Sequence, residues 1–163
     1  MSAIDDLLRN AERYAEGFAD AGLAAAPRTR VAIVACMDAR LDVFRLLGLC
    51  EGDAHVIRNA GGVVTDEEIR SLVISQRLLG TEEIMLIHHT ECGMLNLTDD
   101  DFRRTLQRET GITPEWNAHA FSDLDDDVRS AIARIKASPF LPHRDRVRGF
   151  VYDVATGRLR EVA

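Results

Sequence analysis

The sequence of 163 residues lacks the features that mark several protein classes. Its three cysteines are too few and too scattered for a disulfide framework. Basic residues number 20 against 27 acidic ones, and the formal charge of −7 disfavours a nucleic-acid binder, which needs a basic face for phosphates. No apolar run approaches the roughly 18 residues of a membrane-spanning helix. We therefore predict neither a nucleic-acid partner nor a membrane partner.

The amino terminus also lacks the pattern of a secretory signal. Asp5 and Asp6 stand where a signal peptide has basic residues followed by an apolar run. We therefore expect a cytoplasmic protein. In that reducing compartment, separated cysteines serve as metal ligands, catalytic thiols or buried apolar side chains.

The order of predicted elements indicates a single α/β domain. Runs rich in branched or aromatic side chains predict strands at 31–35, 55–57, 84–87 and 147–154. Helical periodicity predicts helices at 41–47, 66–79, 99–110 and 124–137. This alternation predicts a central, largely parallel β-sheet flanked by helices, with ligands bound beyond the carboxyl ends of its strands.

An additional amphipathic helix is predicted before the first strand. Apolar residues recur at helical spacing within residues 2–20, and residues 21–30 have the composition of a connector. We therefore divide the chain into an N-terminal helix with its connector, residues 1–30, and an α/β domain, residues 31–163, that carries the chemistry. Because the helix precedes the core, we expect it to pack on a partner subunit.

Polar and sulfur-containing side chains follow the first predicted strand. If the chain stays extended there, Cys36, Asp38 and Arg40 point to the same side, since residues two apart in a strand share a face. A thiol, a carboxylate and a guanidinium then converge at one strand end. Taken alone, the pattern is also compatible with a solvated Asp–Arg pair beside a buried cysteine.

The third predicted strand ends in a possible metal-binding motif. His89 and Cys92 are three residues apart, which allows both to bind one ion, and Cys36 would complete a set of two thiolates and one imidazole. That set is known from catalytic zinc sites, in which the fourth position is left to water. His88 faces the opposite side of the strand and is therefore better explained by a hydrogen-bonded structural role.

The second predicted strand ends in two adjacent glycines. Gly61 and Gly62 allow the backbone to approach a ligand closely, and Thr65 with Glu68 forms a capping-box pattern that opens the next helix. Backbone amides near a helix start are available to an anionic substrate or product. An ordinary tight turn would give the same sequence.

These three stretches together resemble the signature of the beta-carbonic anhydrases. The matching motifs are Cys36-x-Asp38-x-Arg40, Arg58-Asn59-Ala60-Gly61 and His89-x-x-Cys92-Gly93. The resemblance implies an enzyme that reversibly hydrates carbon dioxide to bicarbonate and a proton through a zinc-bound hydroxide. It also implies homodimers or dimers of dimers.

The resemblance further assigns roles to individual residues. It implies one zinc ion per subunit, held by Cys36, His89 and Cys92. It implies catalytic roles for Asp38 and Arg40, in which Arg40 holds Asp38 as an acceptor for the metal-bound water. In a closed state Asp38 becomes a fourth zinc ligand. The backbone of Gly61 and Gly62 is the expected substrate-binding partner.

Other functions remain open at this point. A carbon disulfide or carbonyl sulfide hydrolase on the same scaffold would use the same three motifs. A non-catalytic zinc-binding module would have Asp38 permanently on the metal, although Arg40 is well placed to hold it away. A metal-free cysteine-nucleophile enzyme would leave the second cysteine unexplained.

We expect the remaining candidate residues to have structural or surface roles rather than functional ones. Cys50 has no metal-type partner, and the acidic runs 99–101 and 125–127 are expected to be solvated helix starts. His55, His119 and His143 are expected in or near loops. One of these three histidines is a candidate proton shuttle, although surface histidine is the default.

Overall fold

The computed structural model describes residues 2–19 and 22–163. The strands are β1 (Val31–Cys36), β2 (Ala54–Asn59), β3 (Glu83–His89), β4 (Val147–Tyr152) and β5 (Leu159–Glu161). The helices are α1 (Ala3–Glu16), α2 (Val43–Leu47), α3 (Asp66–Leu79), α4 (Asp99–Thr110) and α5 (Leu124–Ala137). Short 3₁₀ turns lie at Ala60–Gly62 and Gly93–Asn96.

The five strands form one sheet in the order β2-β1-β3-β4-β5. The first four are parallel, and β5 is antiparallel to β4. The predicted α/β domain with a largely parallel sheet is therefore confirmed. The sequence did not predict β5, because three residues of which only Leu159 is apolar carry too little hydrophobic pattern to indicate a strand.

Both faces of the sheet are covered by apolar side chains. Val34, Leu86 and Val151 pack on the side of α3 and α5. Ile33 and Ile87 pack on the opposite side, in the cluster that also contains the buried cysteines. Burial on both faces explains why β1 and the middle of β3 are continuously apolar in sequence rather than alternating.

The bounds predicted for α3, α4 and α5 agree with the structure because each helix starts at a side-chain cap. Thr65, Thr98 and Asp123 each accept a hydrogen bond from the backbone in the first turn of the helix that follows. The second helix was predicted to begin at residue 41. It begins two residues later because the Asp42 carboxylate accepts from Arg45 N–H and caps it there.

Two predicted ends were too long. The fourth strand stops at Tyr152 because the Asp153 carboxylate accepts hydrogen bonds from the N–H groups of Ala155 and Thr156 and turns the chain. The first helix ends at Glu16, and the predicted end at Asp20 lies outside the described residues.

The N-terminal helix α1 has no buried residue. Its apolar side chains, which include Ile4, Leu7 and Leu8, are exposed, and Tyr14 donates a hydrogen bond to Glu51. Across residues 2–19 and 22–163, no helix is both long and apolar enough to cross a membrane.

Packing of α5 on the sheet depends on Gly149 in β4. A Cβ at this position would lie 2.2 Å from Val128 Cγ1 and 3.0 Å from Ile132 Cδ1, both on α5. Val128 is fully buried, and its branched side chain has little freedom to move away. Only glycine therefore permits the observed distance between strand and helix.

We expect Gly149→Ala to lower the free energy of unfolding by about 1–3 kcal/mol, the usual cost of overpacking a core. Urea unfolding followed by circular dichroism measures the change. Gly22→Ala is the matched control, because no atom of the residues that the structure describes lies within 4 Å of a Cβ at Gly22. An unchanged midpoint for Gly149→Ala would show that α5 is free to shift.

Candidate metal centre

The pairing of β1 and β3 brings the two predicted metal-binding motifs together. The strands are parallel neighbours, so their carboxyl ends lie at the same edge of the sheet. Ligand atoms of Cys36, His89 and Cys92 all lie within 4.8 Å of one another, and all three residues are buried. Within the described part of the chain, this is the one group of three or more such side chains.

The His89 ring presents a free nitrogen to this cluster. Its Nδ1 lies 2.8 Å from the carbonyl oxygen of Thr90, so Nδ1 carries the proton and donates. Its Nε2 is buried and has no hydrogen-bond partner among the described residues. A buried lone pair without a donor is costly unless a cation occupies it. The imidazole is therefore oriented for metal binding through Nε2.

The two cysteines share one proton. The Cys92 thiol, the neighbouring His89 ring and the backbone N–H groups of Asp38 and Gly61 together hold the pKa of Cys36 well below its usual range, against the opposing effect of burial. The thiolate of Cys36 in turn raises the pKa of Cys92. The site thus already holds one thiolate, and a cation that replaces the shared proton would be bound by two.

Asp38 and Arg40 lie beside the cluster, but the chain that carries them is not the extended strand that we predicted. The strand ends at Cys36, and both residues belong to the turn that follows, so the expectation of an extended chain was wrong. Arg40 donates from Nε to Asp38 Oδ1 at 3.0 Å and from NH2 to Oδ2 at 2.9 Å. This pairing holds the pKa of Asp38 well below its usual range. Asp38 Oδ2 is 3.7 Å from His89 Nε2.

Arg40 also binds the loop that carries the metal ligands, a contact that sequence reasoning missed. Its NH1 donates to Glu91 Oε2 at 3.0 Å, and its NH2 to the Glu91 carbonyl oxygen at 3.2 Å. Glu91 has a φ of 56°, which is uncommon for a residue with a side chain. Arg40 therefore connects Asp38 with the loop between His89 and Cys92.

The two predicted glycines pack directly against the cluster. Gly62 has a φ of +70°, and a Cβ there would lie 2.8 Å from the Cys36 nitrogen. Gly61 has a φ of +87°, and a Cβ there would lie 3.1 Å from Met94 Cγ and from Phe121 Cε1. Both positions require glycine for conformation and for space. Contact with a substrate oxygen stays a prediction.

The residues expected to have structural or surface roles lie away from the cluster, with one difference. Cys50 is exposed and free. His55 lies near the start of β2, within the predicted strand, and its Nδ1 lies 2.7 Å from Ser75 Oγ. His88 faces the other side of the sheet, as expected, and is hydrogen-bonded to Asp127. Asp127 is therefore not one of the solvated acidic residues that we expected.

Comparison with known proteins agrees with this geometry. A sequence profile of the carbonic anhydrase family matches residues 31–138. A Mycobacterium tuberculosis protein named Beta-carbonic anhydrase 1 is 59% identical over 162 residues, which cover 99% of each chain. The chain belongs to the beta-carbonic anhydrase family.

Other relatives of this carbonic anhydrase family member agree in fold. A crystal structure of a carbonic anhydrase from Streptococcus mutans has a TM-score of 0.94 at 46% identity and covers 100% of this chain and 99% of that one. A carbon disulfide hydrolase from Acidithiobacillus thiooxidans is 36% identical over 152 residues, covering 80% of this chain and 76% of that one.

Zinc fits the donor set of this site. Two thiolates and one imidazole are ligands that zinc prefers, and three protein ligands leave one of its four positions open. The free lone pair of His89 Nε2 and the thiolate of Cys36 are both available to the ion. The beta-carbonic anhydrase cofactor predicted from the sequence is therefore compatible with the structure.

We expect one zinc ion per chain after purification and dialysis, and much less than one after Cys92→Ser, because a hydroxyl is a poor zinc ligand. Metal analysis by mass spectrometry provides the count. Cys50→Ser serves as the control, since it removes a cysteine that is exposed and outside the cluster. Full zinc content in Cys92→Ser would contradict the assignment of Cys92 as a ligand.

Proposed function

We propose that this chain catalyses the zinc-dependent, reversible hydration of carbon dioxide to bicarbonate and a proton. The observation that carries the proposal is the arrangement at the site. Three ligands are arranged for one ion, and the nearest carboxylate, Asp38, is held by Arg40. The 59% identity to Beta-carbonic anhydrase 1 supports the same reaction.

Zinc held by Cys36, His89 and Cys92 would act as a Lewis acid that makes a water nucleophilic near neutral pH. The chain supplies the rest of the chemistry. An ionised Asp38 can only accept hydrogen bonds, so it selects a molecule with a proton to donate. Its Oδ2, 3.7 Å from His89 Nε2, is close enough to orient that molecule at the ligand cluster.

Arg40 has two tasks in this proposal. Its hydrogen bonds favour the charged form of Asp38, which keeps the carboxylate an acceptor throughout the physiological pH range. The same bonds occupy both carboxylate oxygens and hold Asp38 off the metal position. Release of Asp38 from Arg40 would permit the closed state, in which Asp38 is a fourth ligand.

We propose that the Gly61–Gly62 turn contacts the substrate oxygen. The turn packs against Cys36, since a Cβ at Gly62 would lie 2.8 Å from the Cys36 nitrogen, and it presents main chain rather than side chains to the ligand cluster. The site thereby combines the Asp38 carboxylate, a charged hydrogen-bond acceptor, with the uncharged backbone of the Gly61–Gly62 turn. This combination suits carbon dioxide, a small apolar substrate that is converted to the bicarbonate anion.

Hydrolysis of carbon disulfide or carbonyl sulfide is the second candidate, because the Acidithiobacillus thiooxidans hydrolase is 36% identical to the chain. The identity to Beta-carbonic anhydrase 1 is higher and covers nearly the whole of both chains. We therefore favour carbon dioxide. A closed, non-catalytic zinc site is disfavoured by the pairing of Asp38 with Arg40.

We expect zinc-loaded protein to hydrate carbon dioxide at about pH 8.5 in a stopped-flow assay with a pH indicator, because an acidified water is then deprotonated. The rate should scale with bound zinc and disappear in Cys92→Ser. Cys50→Ser should behave as the parent protein. Carbon disulfide is the comparison substrate.

The proposal would be contradicted if fully zinc-loaded protein did not hydrate carbon dioxide. Turnover of carbon disulfide in that case would establish the second candidate. If neither activity were observed, the result would favour the alternative that the protein is a non-catalytic zinc-binding module.

We also propose a homodimer, or a dimer of dimers, in which α1 and its connector pack on a partner subunit. A single helix of 14 residues is marginal in water, so α1 needs a surface on which to bury its apolar side. Ile4, Leu7 and Leu8 provide that apolar side and are exposed in one chain. A cytoplasmic location is proposed because the metal thiols of Cys36 and Cys92 must stay reduced.

Leu7→Ser combined with Leu8→Ser should shift the protein toward monomer, because the substitutions remove apolar area from the proposed contact. Sedimentation velocity at several concentrations measures this shift. Asp6→Ser changes the polar side of the same helix and should leave the association state unchanged. A Leu7/Leu8 variant with the parent's sedimentation coefficient would show that α1 does not hold the subunits together.

A further inference from the structure

A second histidine is completely buried behind the metal ligands, on the α5 side of the sheet. His88 has no exposed surface, and its Nε2 lies 2.6 Å from Asp127 Oδ2 in the first turn of α5. Its Nδ1 is buried and has no partner among the described residues. Since a carboxylate only accepts, His88 donates through Nε2, and this bond sets the orientation of its ring.

Asp127 differs from the two acidic residues before it. Asp125 pairs with Arg160, and Asp126 pairs with Arg129 on the surface. The Asp127 side chain is 24% exposed, close to the 29% of Asp125 and far below the 77% of Asp126, but only Asp127 binds a side chain in the core. Asp127 therefore directs its carboxylate inward, although all three residues lie in the same helical turn.

The backbone of β3 links His88 to a metal ligand. His88 and His89 are consecutive and project from opposite faces of the strand. The pair is held in register by β4, where His88 lies opposite Val151 and His89 opposite Tyr152. This pairing fixes the strand end laterally, and the bond from His88 to Asp127 anchors the same strand end to α5 from the opposite face to His89. The metal-ligand candidate His89 is the residue next to that anchor.

A second route connects His88 with Cys36. The His88 ring packs against Phe121, with ring centroids 5.4 Å apart. Phe121 Cε1 in turn lies 3.1 Å from the place of a Cβ at Gly61. The next residue, Gly62, lies directly against Cys36, because a Cβ at Gly62 would be 2.8 Å from the Cys36 nitrogen. The same buried ring thus supports the turn that packs on the backbone of a ligand residue.

We propose that Asp127 is a positioning residue for the metal centre. By holding the His88 ring, it keeps the strand end and the Gly61 turn in the arrangement in which His89 and Cys36 meet one ion. The inference rests on the proposed zinc site but not on the reaction that the zinc supports. Residues that orient metal ligands from behind commonly change metal affinity 10–100-fold when they are replaced.

Zinc affinity measured by chelator competition tests this role. We expect Asp127→Ala to raise the zinc dissociation constant by about tenfold or more, the range for such supporting residues. Asp126→Ala removes the same charge from the same helical turn and should stay within about twofold of the parent, because Asp126 is exposed and paired only at the surface. Absorption of the cobalt-substituted protein should change in Asp127→Ala and not in Asp126→Ala.

A merely structural role for Asp127 gives a different result. In that case Asp127→Ala lowers the stability of zinc-free and zinc-loaded protein equally, and the stabilisation by zinc is unchanged. In a positioning role the stabilisation by a fixed zinc concentration decreases. Urea unfolding of both forms separates these outcomes. Equal stabilisation of parent and variant would overturn the proposal.

Two conservative variants keep the test decisive if Asp127→Ala does not fold. Asp127→Asn retains an oxygen that accepts from His88 Nε2 and should keep the parent's zinc affinity and cobalt spectrum. Asp127→Glu retains the charge but displaces the acceptor by one methylene, and should weaken zinc binding several-fold. Parent-like binding in Asp127→Glu would contradict the proposal. These readouts do not involve carbon dioxide, so failure of the hydration assay would not affect them.

Discussion

The parallel pairing of β1 with β3 is the constraint on which the metal centre depends. It places the end of β1 beside the end of β3, so that Cys36 lies next to His89 although the two residues are 53 positions apart in sequence. Cys92 follows from the same strand end through one short loop. Without this register, the three ligand atoms would not lie close together. The buried lone pair of His89 Nε2 would then have no metal ion to bind.

Charge at the site is organised around Arg40. One guanidinium pairs with Asp38, with the Glu91 carboxylate and with the Glu91 carbonyl oxygen. The turn after β1 and the loop after β3 are therefore joined at the surface as well as through the metal ligands. Because Arg40 is about half exposed, water competes for it, and the pairing with Asp38 is reversible in a way that a buried ion pair would not be.

Much of this organisation could be predicted from the sequence, because the strongest signals are local. Thr65, Thr98 and Asp123 mark helix starts by their own side chains, and the spacing of His89 and Cys92 indicates a shared ligand. The partner of His88 could not be predicted, since Asp127 is 39 positions away and nothing in the acidic run distinguishes it from Asp125 and Asp126, which pair with arginines. The contact between Arg40 and Glu91 likewise depends on which loops the fold brings together.

The approach of Gly62 to Cys36 has a consequence for attempts to transplant the site. A Cβ at Gly62 would lie 2.8 Å from the Cys36 nitrogen, so the two backbones are in direct contact and a sulfur ligand is supported by main chain alone. A designer who copied only the three ligand side chains onto another scaffold would lose that support. The smallest unit that could be transferred consists of the end of β1 at Cys36, the Gly61–Gly62 turn and the end of β3 that carries His89. A host protein would have to hold the first two backbones equally close together.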